Sequence, residues 1–164
     1  MRIWTCCILS WILLSGLTHS KNADPIRDAY RKALKEESSV KELKSLTKQR
    51  QNAISTAFYA MALALEARDA SWVHTKMSLA KEAYADLNKA VSLDPNNFEI
   101  RYLRFSFSCE VPGMLGLSAH VQEDKTYLLK HAHKREPLAD VMKKYFQKSS
   151  CLNASEKTQI NSRL

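Results

Sequence analysis

From Ile54 to Val91 the apolar residues recur every three or four positions, and this periodicity limits what the chain can become more than any other feature. Ile54, Phe58, Met61 and Leu65 form one stripe, with Ala57 and Ala62 beside it, and Leu79, Ala83, Leu87, Ala90 and Val91 form a second. Residues so spaced share one face of a helix, whereas a half-buried strand would alternate by two. Asp69 to Val73 reads as the connection between the two helices. Asp94 and Pro95 end the second, because proline disfavours helical geometry in the residue before it and lacks the N–H that the helix would use next. With three glycines and four prolines in 164 residues, the chain is also poorly supplied for the tight turns of a hairpin-rich β protein. The expectation is an all-α fold with one core, since this length suits a single domain.

The flanks extend the same pattern. Asp24 before Pro25 marks a helix start, since aspartate caps exposed backbone N–H groups and proline fits the first helical turn. Ile26, Tyr30, Ala33 and Leu34 carry that helix on through Glu37. Ser38 and Ser39 offer a break and a new cap, after which Val40, Leu43 and Leu46 give a shorter stripe, and the basic run from Lys41 to Arg50 reads as a solvated face. Asn97 to Cys109 is ambiguous. Phe98, Ile100, Tyr102 and then Leu103, Phe105, Phe107, Cys109 alternate as a strand would, yet Ile100, Leu103 and Phe107 also share one helical face and Phe98, Tyr102 and Phe105 another. Helix is the preferred reading, because a strand here has no pairing partner elsewhere in the sequence. Pro112, Gly113 and Gly116 mark an irregular link. Val121 to His131 and Leu138 to Phe146 follow as amphipathic helices separated by Pro137, and Asn153 with Glu156 resembles a capping box opening a short helix that frays toward Leu164.

The first twenty residues differ from the rest. Arg2, the apolar run Ile3 to Leu14 and the small or polar stretch Ser15 to Ser20 follow the order of a secretory signal peptide. The apolar run is shorter than the roughly 20 residues a spanning helix needs. Cleavage near Ser20 and export to the periplasm or beyond is the expectation; the alternative is a membrane anchor formed by an uncleaved N-terminus. Cys109 and Cys151 remain after removal of the leader. They fit either a disulfide, closing a loop of about 40 residues for about 3 to 4 kcal/mol, or two separate buried thiols. The formal charge of +8 would suit nucleic acid in a cytosolic protein. Export argues against that partner and leaves an anionic membrane surface, an acidic protein, or simply lysine-rich solvated faces.

Ala83, Leu87, Ala90 and Pro95 fit the spacing that closes a tetratricopeptide repeat, in which small alanines let two helices approach and the proline ends the pair. The first half of such a repeat is poor, with Ala67, Ala70, Ser71 and His74 where the repeat usually has Trp, Leu, Gly and Tyr, and the pattern does not recur at the repeat's roughly 34-residue period. The string from Asp94 to Arg104, the Pro112 to Gly116 link and Val121-Gln122-Glu123-Asp124-Lys125 together resemble a family of small, exported bacterial helical proteins of unknown function, often described as tetratricopeptide-like. The resemblance covers about the middle half of the chain. It implies helical structure and export, and carries no activity. The expected organisation is a leader at 1–20, an N-terminal helical segment at 21–52, a tetratricopeptide-like hairpin array at 53–150 and a short C-terminal helix at 151–164.

Among the charged residues, Arg101 and Arg104 stand out because the segment around them is so apolar. Glu123 and Asp124, some twenty residues on, could partner them, and a structural ion-pair cluster between the fifth and sixth helices is the preferred reading. A site for an anionic ligand is the alternative. His131 and His133 lie two apart and would point to opposite sides of a helix, so they do not make a metal site together. His74 and His120 are lone histidines. Glu66, Asp69 and Glu82 are carboxylates with nothing in the sequence to gather them around a cleft, and no glycine-rich loop, nucleophile elbow or zinc-ligand spacing is present. The sequence therefore suggests neither an enzyme nor a bound cofactor.

The functional expectation is a protein- or peptide-binding module of the cell envelope, working through the surface beside the Ile54 to Val91 helix pair, because helical hairpins leave grooves suited to peptide docking. Trp72, near the expected turn, is the candidate anchor; packing against the next helix is the alternative. A carrier of a small anionic ligand or lipid is the competing reading. Partner identity and oligomeric state are not encoded in any motif.

Overall fold

The computed structural model describes residues 24–133 and 135–164, so the leader-like segment falls outside the description. Among the described residues there are eight α-helices and no strand: α1 Pro25–Ala33, α2 Val40–Thr47, α3 Ala53–Asp69, α4 Val73–Leu93, α5 Phe98–Glu110, α6 Val121–His131, α7 Ala139–Lys148 and α8 Ala154–Arg163. Local chemistry sets several of the starts. The Asp24 carboxylate accepts the Ile26 N–H at 3.0 Å, and Asn97 does the same for Ile100 at the head of α5. Asn52 with Ser55 and Asn153 with Glu156 form reciprocal capping boxes on α3 and α8. Gly116 closes the short 3-10 turn Gly113–Leu115 at φ 68°, a left-handed conformation that glycine adopts without penalty.

α3 and α4 form the central hairpin, joined by only three residues, Ala70 to Trp72. A connection that short returns the chain antiparallel. Ala57, Ala60, Ala83 and Ala90 are all fully buried, so small side chains occupy both halves of the pair. α5 is the innermost helix, with every residue from Phe98 to Ser108 buried. That burial accounts for the ambiguous pattern in its sequence: a helix covered on all sides has no polar face to reveal its period.

The C-terminal helices lie against this core. Phe146 of α7 meets the Tyr102 ring at 5.5 Å and the Phe105 ring at 6.2 Å, and Tyr145 meets Tyr102 edge-on at 5.8 Å. Cys109, in the last turn of α5, is bonded to Cys151, just after α7. Arg31 of α1 reaches the other end of α7, donating to the Pro137 carbonyl at 2.8 Å and to Asp140.

Three local expectations change. α1 stops at Ala33 rather than Glu37, and a 3-10 turn, Glu37–Ser39, leads into α2. Leu46 is 46% exposed and takes no part in the core, whereas Thr47 is buried with its hydroxyl bonded to the Leu43 carbonyl at 2.7 Å. The end of the chain is docked rather than frayed: Ile160 and Leu164 are buried, and Gln159 and Arg163 both donate to the Leu129 carbonyl at the end of α6.

Candidate functional site

Five helices that are distant in sequence surround one large groove. α1, α3, α4, α5 and α7, with the Val111 to Leu115 link, enclose about 1170 Å³. Its surface is mainly apolar, with Ala64 and Leu65 from α3, Ala80 from α4, Phe107 from α5 and Val141 from α7. The phenols of Tyr102 and Tyr145 border it, and burial pushes both well above the ordinary tyrosine range, so they are neutral donors at any physiological pH. Tyr145 already donates to the Ser106 carbonyl at 3.3 Å.

The mouth is different. Val73, Met77 and Met114 are 71%, 37% and 92% exposed, so apolar surface continues out of the groove onto its rim. Six cations stand among the lining residues against two carboxylates, Glu110 and Asp140. Arg31 is committed to Asp140 and Asp28, each at 3.1 Å, and holds the Asp140 carboxyl below its usual range. Arg68 is committed to Asp69 at 2.7 Å. The four lysines, Lys35, Lys76, Lys144 and Lys148, have no carboxylate within ion-pair distance among the described residues; Lys76 instead donates to the Arg68 carbonyl at 2.9 Å. Trp72 is 71% exposed and precedes the lining residue Val73, with its ring 6.3 Å from His74; it does not line the groove itself.

Arg101, Arg104, Glu123 and Asp124 are brought together elsewhere, between α5 and α6. Asp124 is fully buried and accepts from both arginines: Arg104 Nε and Nη2 grip its two oxygens at 2.8 Å each, and Arg101 Nη1 reaches it at 3.0 Å. Glu123 pairs with Arg101 at the surface, and that hydrogen bond holds its carboxyl below the ordinary range. Asn88 of α4 accepts from Arg104 at 3.1 Å, and the Arg101 guanidinium lies 5.0 Å from the Tyr127 ring centre. All the strong donors face protein groups, so the cluster joins α4, α5 and α6.

A second buried ion pair joins α1 to α5. Arg27 of α1 grips Glu99 of α5 with two hydrogen bonds, one of them 2.7 Å, and Glu99 is 3% exposed. The pair's only trace in the sequence is Glu99 in the same largely apolar segment that carries Arg101 and Arg104. Arg27 and Glu99 also border a smaller polar cleft of about 400 Å³ with Tyr127, His131, His133 and Glu136. There His131 stacks on Tyr127 with ring centres 4.3 Å apart, and His133 Nε2 lies 2.9 Å from the buried carboxylate of Glu136, which desolvation pushes up.

Among the described residues no group of three histidine, cysteine, aspartate or glutamate side chains is placed to hold a metal ion. No described helix is long and apolar enough to cross a membrane. The groove presents apolar area, neutral hydroxyls and unpaired ammonium groups, a combination suited to holding a ligand. Compared with protein-family models, with curated proteins and with solved structures, the chain matches none.

Proposed function

We propose that this protein is an exported helical binding module, built as a tetratricopeptide-like hairpin array, that takes an apolar segment of an envelope or secreted partner protein into the groove among α1, α3, α4, α5 and α7. The observation that carries the reading is the apolar groove of about 1170 Å³ whose apolar surface runs out to Val73, Met77 and Met114 at its mouth. Exposed apolar area contiguous with a concave site is a recurrent mark of a docking surface. The hairpin of α3 and α4, with alanines buried in both helices, supports the repeat-like arrangement. The leader-like N-terminus and the Cys109–Cys151 bond both agree with an oxidising compartment.

The competing reading, a carrier of an anionic lipid or other small anionic ligand, draws on the four lysines at the mouth that lack carboxylate partners. A photo-crosslinking side chain placed at Met77, and separately at exposed Gln122 outside the groove, tests the first reading in the native envelope. A protein adduct from position 77 that is absent from position 122, and lost when Ala64→Phe fills the groove, is the expected result. Equal adducts from both positions, or lipid adducts alone, would rule it out.

A further inference from the structure

We infer that the occupant of the groove is an amphipathic helix that carries carboxylates along the edges of its apolar face, and that Lys35, Lys76, Lys144 and Lys148 select it. The inference rests on the reading of the groove as a partner-binding surface and adds the chemistry of the partner.

Charge complementarity is the first argument. Once Arg31 and Arg68 are assigned to their aspartates, four ammonium groups remain around the mouth, and of the two lining carboxylates only Glu110 is not already held by an arginine. The lysines come from three elements: Lys35 follows α1, Lys76 is in α4, and Lys144 and Lys148 lie one turn apart on α7. All four are exposed. Such a rim raises the local concentration of anionic ligands and penalises basic ones.

The distribution of apolar surface is the second argument. A single acyl chain is best served by an enclosed slot, but here the apolar area extends beyond the groove to Met114, which is 92% exposed, and to Val73. A ligand about as wide as a helix, about 10 Å across, can cover the floor and the rim together. Met61, Met77 and Met114 supply flexible, polarizable contacts that adapt to the uneven face of a helix. Carboxylates beside that face would then meet the lysines at the edges.

The test uses the purified, oxidised protein and three labelled peptides of about four helical turns. They share one leucine- and methionine-rich face and differ only in the flanking residues, which are glutamate, glutamine or lysine. Vesicles of phosphatidylglycerol form a fourth arm. The glutamate peptide is expected to bind about tenfold to a hundredfold tighter than the glutamine peptide, with the lysine peptide weakest, and raised salt should shrink the difference. In the variant carrying K35E, K76E, K144E and K148E the order should invert, and tight binding of the lysine peptide would also show that the variant folds.

Equal binding of the glutamate and glutamine peptides would overturn the acidic-helix inference while leaving the groove reading intact. Failure of all three peptides, with no adduct at Met77 in the envelope, would remove both. Lysine-dependent binding of the vesicles without binding of any peptide would overturn the inference in favour of a lipid surface.

Discussion

Removing the charge of Asp124 should be among the most damaging single-atom-scale changes available in this molecule. Asp124→Asn preserves shape but leaves Arg104, 3% exposed, without its two-point anion and Arg101, 9% exposed, with the solvent-facing Glu123 as its one carboxylate and the Pro95 carbonyl as a neutral acceptor. Breaking a buried pair by deleting one partner costs about 3 to 5 kcal/mol, because the remaining charge stays desolvated. Glu123, Asn88 and the Tyr127 ring retain some compensation, so about 3 kcal/mol is the expected loss. In urea unfolding followed by far-ultraviolet circular dichroism, with a slope of about 2 kcal/mol per molar, the midpoint would fall by about 1.5 M. Glu123→Gln, at the exposed edge of the same cluster, should lose less than about 1 kcal/mol. Replacing the most buried pair, Arg104→Met with Asp124→Leu, should recover part of the loss, since a desolvated pair exchanged for apolar groups of similar size is often nearly neutral and Arg101 keeps Glu123. The reasoning fails if Asp124→Asn costs less than about 1 kcal/mol, or if the double variant is no more stable than the single one.

Reduction of Cys109–Cys151, which closes a loop with a sequence separation of 42 residues, should lower stability by about 4 kcal/mol in the chain-entropy account; equal unfolding midpoints with and without reductant would contradict it. Glu123 and Asp140 both have carboxyls lowered by arginine hydrogen bonds, so their stabilisation is complete above the unfolded carboxylate range and is lost as pH falls through the depressed folded values. Both are more than half exposed, so Glu123→Gln with Asp140→Asn should flatten the acid limb of a stability-against-pH curve only modestly, and an unchanged limb would count against the assignment.

The helices were legible where one face is wet. α4 has a buried stripe of Ala80, Ala83, Leu87, Ala90 and Val91 between exposed lysines and Glu82, and its period is plain in the sequence. α5 has no wet face, so its apolar residues matched two periods at once, and only the lack of a strand partner favoured helix. The cluster of Arg101, Arg104, Glu123 and Asp124 was readable because charge on a buried helix demands a partner. Arg27 with Glu99 was not, since its halves lie 72 positions apart and Arg27 belongs to no conspicuous string. The groove was hidden for a related reason: Tyr30, Leu65, Ala80, Phe107 and Tyr145 become neighbours only through packing. Its four lysines look individually like the solvated surface of any basic protein. Trp72, selected from sequence as an exposed aromatic, is exposed, but it stands just outside the lining.

α7 is pinned near both of its ends, by Arg31 at Pro137 and Asp140 and by the Cys109–Cys151 bond, with Phe146 seated among aromatic rings between them. A side of the cavity fastened in this way has its shape before any guest arrives. For the guest proposed above, little ordering entropy is then left for the host to lose on association, so affinity should depend on the guest's own rigidity and fit more than on reshaping of the host.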